Sequence, residues 1–171
     1  MGVRSPALIF SGVAAGVVFA CAPIGSPSGV AAAPGGGNVS MPALMREVRL
    51  KVDMVPKGTH GRRVVRPMRP RYITIHSTQN WTADAERHSL ALKRGALRAP
   101  KRRGGNRIGF LIWHFTTDDK MAIQHMPTSE QGEHADFDGP GNRYSIGIEM
   151  CEHRGSNLAA TVERTAKLTA V

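Results

Sequence analysis

The chain has 171 residues, of which 41% are hydrophobic and 5% aromatic, and its formal net charge is +10. This length leaves room for one domain with tails. The charge is uneven: residues 1–110 carry 18 Lys and Arg against 4 Asp and Glu (+14), and residues 111–171 carry 5 against 9 (−4). A basic front half predicts an anionic partner such as nucleic acid, phospholipid or a cell-wall polymer.

Residues 1–33 have the pattern of an export signal peptide. Arg4 provides the positive start, and the apolar run over 7–20 is too short for an ordinary membrane-spanning helix. The three alanines at 31–33 suit a signal peptidase, while lipid attachment at Cys21 and an uncleaved anchor are the open alternatives. We therefore expect an exported protein (secreted, periplasmic or cell-wall associated) with no stable membrane span after processing.

Residues 34–70 are predicted to be a basic, Pro/Gly-rich linker. Within it, apolar residues alternate weakly over 45–54, which indicates an edge strand. Proline and glycine recur from Pro56 to Pro70 and interrupt the rest.

The compact part is predicted to cover residues 71–171. In chain order the patterns first predict a buried strand over 72–76, a helix over 80–95 capped by Thr82, and a solvated basic loop over 98–107. They then predict a hairpin, with strands over 110–116 and 122–125 joined by a turn at 118–120, followed by a polar loop over 127–144 and a strand over 144–151. The last predicted element is a helix beginning at 161, with Val162, Ala166 and Leu168 or Thr169 on its inner face. Cys151 is expected to be a small core residue without a disulfide partner.

Two strands end in residues that carry chemistry, as is typical of α/β enzymes. His76 follows Tyr72–Ile75, and Glu149 ends the apolar run Ile146–Ile148. An unpaired charge at the end of a buried strand is costly. Glu149 is therefore either paired, for example with Arg143 or Arg154, or kept for proton transfer beside an activated water.

Seven histidines invite a metal hypothesis. Zinc needs three or four N, S or O ligands, and a catalytic zinc leaves one position for water. His76 is the strongest candidate, although a lone histidine is more often structural. By count alone His76, His114 and His134 would make a three-histidine site, but no short His-x-His or His-x3-His pair supports it.

Five motifs occur in a familiar order. They are Ile75-His76-Ser77-Thr78, Trp113-His114-Phe115-Thr116, Gln124-His125-Met126-Pro127, Glu133-His134-Ala135 and the run from Gly141 to Glu149. Together they resemble the zinc-dependent N-acetylmuramoyl-L-alanine amidases of the amidase-2 type, a group that includes phage and Bacillus autolysins and is similar to the peptidoglycan recognition proteins. The resemblance covers residues 70–171, and we interpret residues 71–171 as a partial amidase domain.

The resemblance implies a fold, a reaction and a set of residues. The fold is of the α/β class, with a mixed central sheet flanked by helices and incomplete at the C-terminus. Zn2+ and a glutamate hydrolyse the amide between N-acetylmuramic acid and L-alanine of peptidoglycan. The implied residues are His76 as a zinc ligand, Glu149 as the water-activating carboxylate, Trp113 in place of a tyrosine near the scissile carbonyl, and His114, His134, Asn142 and Arg143 as further substrate-binding positions.

The chain departs from the family in one respect. Members usually take a second His and then a Cys or Asp ligand from beyond the helix that begins here near residue 160, and the sequence ends inside that helix. We expect, in this order, a fragment, a truncated inactive product, or substitution by His114 or His134.

Two functions compete, with a third disfavoured. The first is the amidase, and the alternative is a catalytically dead peptidoglycan-binding module. Nucleic-acid binding is not expected, because the basic half lacks interleaved aromatic residues and a recognised motif. Its bases instead suggest a solvated face that attracts anionic wall polymers.

Overall fold

The computed structural model of the chain describes residues 40–99 and 108–171. The predicted signal peptide over 1–33, including Cys21, and most of the predicted basic loop over 98–107 lie outside the described residues. Within the described part, no helix is both long and apolar enough to cross a membrane.

The described residues form a five-stranded sheet and four α-helices. In chain order the elements are α1 (Met41–Val48), β1 (Leu50–Val52), a short 3-10 helix (His60–Arg62), β2 (Tyr72–Ser77), α2 (Ala85–Lys93), β3 (Phe115–Thr117), β4 (Ala122–Gln124), α3 (Pro140–Tyr144), β5 (Ser145–Met150) and α4 (Leu158–Thr169).

The sheet is mixed, with strand order β1-β4-β3-β5-β2. Only β3 and β4 pair antiparallel, and the other three pairs are parallel. The β3–β4 hairpin closes because Asp118 Oδ1 accepts hydrogen bonds from the backbone N–H groups of Lys120 and Met121, each 2.8 Å long. The predicted hairpin and its turn are thus confirmed, with shorter strands than expected.

One face of the sheet carries the main hydrophobic core. Val48 of α1 and Leu168 of α4 pack there against residues of three strands: Phe115, Ala122 and Ile148. Burial of such side chains is worth about 1.5–3 kcal/mol each, so this face stabilises the sheet from behind. The opposite face is partly covered by α2, and over β5 and β2 it carries polar side chains.

The segment predicted to be a linker contains regular structure. Residues 41–48 form a helix rather than part of an extended strand, and Leu50–Val52 pairs with β4 as the edge strand. The turn between them is made by Arg49, whose φ of 52° is left-handed. Because Val48 and Val55 are fully buried, the region from residue 41 is integral to the domain.

Two helix predictions need correction. α2 begins later than expected, and its cap is Asp84, whose carboxylate accepts from the Arg87 N–H at 2.9 Å, rather than Thr82. α4 begins at Leu158 and buries Thr161, Thr165 and Leu168, whereas Val162 is 48% exposed. The prediction was right for Leu168 and wrong for Val162 and Ala166, which are exposed. Hydroxyl groups were not expected inside, yet Thr165 Oγ1 bonds Thr117 Oγ1 at 2.6 Å.

Candidate functional site

His76 and Glu149 are neighbours across two parallel strands. They are register partners on β2 and β5, near the C-terminal ends of both strands. Adjacent parallel strands lie about 4.8 Å apart and paired residues point to the same face. The two side chains predicted to act together therefore share one face of the sheet, opposite the main core.

The Glu149 carboxylate has no hydrogen bond or ion pair with the described residues. The predicted alternative, a salt bridge to Arg143 or Arg154, is not formed, and both arginines are exposed. Burial raises the pKa of the Glu149 carboxyl to about 8. An acid with this pKa is mostly protonated at neutral pH and can exchange a proton near it, as a general acid or base must.

His134 contacts His76 directly. Its Nδ1 lies 3.2 Å from Nε2 of His76, and the two rings meet edge to face with centroids 5.4 Å apart. Burial lowers the pKa of both histidines, and for His134 the neighbouring imidazoles of His114 and His76 lower it further. The pair is therefore neutral at neutral pH and shares a single hydrogen bond.

His114 lies close to His134 but is not available as a ligand. Its ring centroid is 5.9 Å from that of His134. Nδ1 accepts the backbone N–H of Gly147 at 2.9 Å, and Nε2 donates to the carbonyl of Glu130 at 2.8 Å. Burial lowers the pKa of His114 to about 4, and the side chain is fully buried. The geometry thus disfavours both a metal role and a substrate contact for His114.

Trp113 is also enclosed. It is 4% exposed, and its Nε1 donates to Thr116 Oγ1 at 2.7 Å. Thr116 Oγ1 is also 2.8 Å from Nε2 of His125, and Thr116 is the register partner of Glu149 on β3. Trp113 thus supports the strand beside the site, and its side chain does not reach a substrate surface.

Asn142 organises the loop that carries His134. Its Oδ1 accepts from the backbone N–H groups of His134 and Ala135 at 2.8 and 2.9 Å. Its Nδ2 donates to Glu133 Oε1 at 3.0 Å and to the carbonyl of Phe137 at 2.6 Å. Both polar atoms of the Asn142 side chain are hydrogen-bonded, and none of its surface is exposed, so Asn142 positions the loop. The family resemblance had implied a substrate contact for this residue.

Arg143 remains open to solvent. It lies in α3, just before β5, so it is at the opposite end of that strand from Glu149. No side-chain hydrogen bond or ion pair of Arg143 is formed with the described residues. This leaves its guanidinium able to bind an anionic group, such as a peptide carboxylate.

Sequence reasoning missed several residues that shape the site. A Cβ added to Gly147 would lie 2.7 Å from three ring atoms of His134, and one added to Gly132 would lie 2.7 Å from its Cδ2. Glu133, 2% exposed, has a pKa that burial raises to about 7, opposed by Arg66. The interior glycine of β5 was the available signal, since glycine inside a strand often marks a close approach.

The described residues do not complete a zinc site. His76 offers one imidazole, and Glu149 is its register partner on the same face. A catalytic zinc is held by three protein ligands. Within residues 40–99 and 108–171 no group of three His, Cys, Asp or Glu side chains is arranged to hold a metal ion.

Comparison with known proteins identifies the relatives of this arrangement. Residues 66–171 match the Amidase_2 family, described as N-acetylmuramoyl-L-alanine amidase. The amidase XlyA of Bacillus subtilis (strain 168) is 40% identical over 115 residues, which are 66% of this chain and 34% of XlyA. The amidase CwlH of the same strain is 39% identical over 110 residues, 62% of this chain and 39% of CwlH.

Solved structures confirm the predicted fold class. The catalytic domain of XlyA has a TM-score of 0.60 and 37% identity, and the match covers 71% of this chain and 73% of that domain. A mutant endolysin from Bacillus subtilis has a TM-score of 0.57 and 36% identity, with 69% and 70% covered. The chain spans between a third and two fifths of the length of these two curated relatives, XlyA and CwlH.

Proposed function

Since the chain belongs to the Amidase_2 family across residues 66–171, we propose that it hydrolyses the amide between N-acetylmuramic acid and L-alanine in peptidoglycan. The observation that carries this proposal is the alignment of His76 with Glu149 in register on one face of the sheet. The relatives named as N-acetylmuramoyl-L-alanine amidases support the choice of substrate.

Glu149 is proposed to transfer the protons of the reaction. Water adds its oxygen to the lactyl carbonyl carbon, the C–N bond breaks, and the L-alanine nitrogen leaves as an amine. One water proton must pass to that nitrogen, and a carboxyl group with a pKa of about 8 takes up and releases a proton readily near neutral pH. Among the described residues, no arginine or lysine forms an ion pair with Glu149. Its carboxyl is therefore free to transfer protons.

His76 is proposed to be the site's single imidazole donor. The zinc that the family resemblance implies would polarise the carbonyl and the water when bound, and His76 would be one of its ligands. The residues of the chain itself to which the proposal assigns a part are His76, Glu149 and Arg143. The exposed guanidinium of Arg143 is proposed to hold an anionic group of the stem peptide.

The incomplete ligand set favours a second candidate function. A chain that cannot retain a metal would bind peptidoglycan without cleaving it, and the absence of a three-ligand group in the described residues supports this alternative. Both candidates place the protein at the cell wall, and we propose export through residues 1–33 for either one.

Release of peptides from purified peptidoglycan separates the two candidates. The full chain, supplied with Zn2+, should liberate peptides with a free N-terminal L-alanine, and Glu149→Gln should reduce that rate at least ~100-fold, in line with loss of a general acid–base group. Wall binding of the variant, measured by co-sedimentation, should stay unchanged.

Three outcomes of that experiment are decisive. Hydrolysis by Glu149→Gln at the parent rate contradicts the role of Glu149. Binding without release by the parent chain supports the binding module instead. Zn2+ content measured on His76→Ala and on the parent then tests the imidazole, since equal metal content in both would move the ligand elsewhere.

A further inference from the structure

The residues that face the site form one row across the sheet. They are register partners in the order Ile123 of β4, Thr116 of β3, Glu149 of β5 and His76 of β2. α2 lies over the β4 end of this row, where Ala85 packs against Ile123. β2, at the other end of the row, is an edge strand of the sheet. The chain that connects β2 to α2 therefore crosses the C-terminal end of β5, just beyond Glu149.

This connecting segment, residues 78–84, is tied to the C-terminal edge of the sheet. At its middle, the backbone N–H of Arg154 donates to the carbonyl of Trp81 at 2.9 Å. At its end, the backbone N–H of Ala85 donates to Asp118 Oδ2 at 3.1 Å, beside the turn of the β3–β4 hairpin. Residues 78–84 thus form a wall of the site at this edge of the sheet.

Trp81 is the exposed aromatic residue of this wall. It is 56% exposed, and its indole has no hydrogen bond or ring contact with the described residues. Its backbone is held, because the turn around it is closed by two hydrogen bonds from Thr82 to Asn80 Oδ1, at 3.0 and 2.9 Å. A large ring on a fixed backbone binds a partner at little cost in conformational entropy, and tryptophan is enriched among residues that dominate binding.

The bond that the proposed reaction breaks divides the substrate into two parts. On the carbonyl side are the lactyl group and the sugar rings of the glycan strand, and on the nitrogen side is the stem peptide. Because an amide is planar and trans, its two substituents extend in opposite directions. With the reacting amide beside Glu149, the glycan and the stem peptide therefore extend toward opposite ends of the site.

The two ends of β5 offer different chemistry to these parts. Arg143 lies just before the N-terminal end, and its exposed guanidinium suits the carboxylates of a stem peptide. Ser145 and Glu149 are about 13 Å apart along the strand, a length that an extended peptide of four residues also spans. At the C-terminal end, Arg154 follows Glu149 by five positions, so Trp81 lies within about 20 Å of the reacting amide. The charged end suits the peptide, and the aromatic end suits the glycan.

A sugar ring matches the indole of Trp81 in shape and in charge. A pyranose ring presents a face of C–H groups with partial positive charge, and the face of an indole ring is negative. The sugar hydroxyl groups at the ring edge stay in water, so the contact requires no buried polar partner.

We propose that Trp81 binds a sugar ring of the glycan strand, so that peptidoglycan lies along β5 with its glycan at the C-terminal edge of the sheet and its stem peptide toward Arg143. This inference deepens the proposed function and rests on it. It assigns to residues 78–84 the recognition of the part of the substrate that the reaction leaves on the glycan.

NMR of the two indole N–H groups tests the proposal on the full chain labelled with 15N. The probes are peptide-free glycan strands prepared from peptidoglycan and, separately, the free stem peptide that begins with L-alanine. We expect the glycan to shift the signal of Trp81 and to leave that of Trp113 unchanged, because Trp113 is enclosed. The stem peptide should shift neither indole signal.

Substitutions at the two ends of β5 should have opposite effects on the two probes. Trp81→Ala should weaken glycan binding at least about 10-fold and leave stem-peptide binding unchanged, while Trp81→Phe should recover most of the glycan affinity. Arg143→Gln should weaken binding of the stem peptide and not of the glycan. Leu158→Ala is the matched control, because Leu158 is similarly exposed, at 49%, on α4, which packs on the other face of the sheet.

The outcomes separate this inference from the proposed hydrolysis. A glycan that shifts neither indole signal, or that binds Trp81→Ala as tightly as the parent, overturns the inference. Loss of stem-peptide binding in Trp81→Ala, with glycan binding retained, would reverse the orientation and also overturns it. Release of peptides with equal KM for purified wall in the parent and in Trp81→Ala overturns only the inference, while the expected binding without any release overturns only the proposed hydrolysis.

Discussion

At the scale of single residues, Glu149 is the most unusual side chain of the domain. It is a half-buried carboxyl without a partner among the described residues, and it provides the site with a proton-transfer group at the expense of stability. Natural sites commonly keep such groups because function requires them. A structural glutamate in the same strand would be expected to have an arginine or lysine beside it.

Glu149→Gln should therefore stabilise the fold while abolishing hydrolysis. The pKa of the carboxyl is raised from its ordinary 4.5 to about 8. Between these values the unfolded chain has lost the proton and the folded chain keeps it, so the free energy of unfolding falls as pH rises from 4.5 to 8. The amide does not titrate, and at pH 7 we expect a gain of about 1–3 kcal/mol, allowing for partial exposure.

Urea unfolding of parent and variant at several pH values measures this gain. The difference between them should be smallest below pH 4.5 and largest above pH 8. Glu163→Gln is the matched control, because Glu163 is exposed on α4 and should change stability by no more than about 0.5 kcal/mol at pH 7. A Glu149→Gln variant that is less stable than its parent at pH 7 would show that Glu149 has a stabilising partner.

At the scale of elements, the segment between Gly132 and Ser145 depends on one amide. The sequence predicts a polar loop there, and the structure has α3 within it. Asn142 of α3 bonds backbone groups on the other side of the loop, so the short helix and the loop hold each other in place. The hydrogen bonds of Asn142 therefore also fix the position of His134.

Asn142→Ala should destabilise the domain by about 2–4 kcal/mol, because it leaves several buried polar groups without partners. Asn157→Ala is the matched control: Asn157 caps α4 through an exposed hydrogen bond from the Ala160 N–H, and its loss should cost about 1 kcal/mol. Thermal unfolding of both variants measures the difference. Equal small losses would mean that the loop is held by other contacts.

At the scale of the whole molecule, the sheet and the charge distribution act together. The site occupies one face of the sheet while α1 and α4 cover the other, joined by the ion pair of Lys167 with Glu47. The basic excess lies in residues 1–110. Of these, Arg63 and Arg69 are exposed in the segment between β1 and β2. A positive surface of this kind attracts anionic polymers over a Debye length of about 10 Å at 0.1 M salt.

Binding to purified walls should therefore weaken as salt concentration rises. The double variant Arg63→Gln and Arg69→Gln should bind less tightly than the parent at low salt, and the two should converge at high salt because screening removes the difference. Lys120→Gln, in the acidic half of the chain, serves as the control and should have a smaller effect. Salt-independent binding of the parent would show that its charge plays no part.

Several features of the fold were predictable from local patterns. The local pattern predicts two of the strands, Tyr72–Ser77 and Ser145–Met150, because each is a short apolar run bounded by turn residues. The start of the domain was misplaced because α1 and β1 are stabilised by burying Val48 against residues far along the chain. Such long-range burial leaves little local signal, and the same applies to the threonine face of α4.

The sequence by itself determined the family, the strands that carry His76 and Glu149, and the candidate residues of the site, because these follow from motifs and local periodicity. Only the tertiary structure decided what each candidate touches: His114 is committed to backbone groups, Asn142 to the loop, and His134 to His76. The physical reason is that a hydrogen bond depends on the positions of two atoms within about 3 Å, and those positions are set when distant segments pack together.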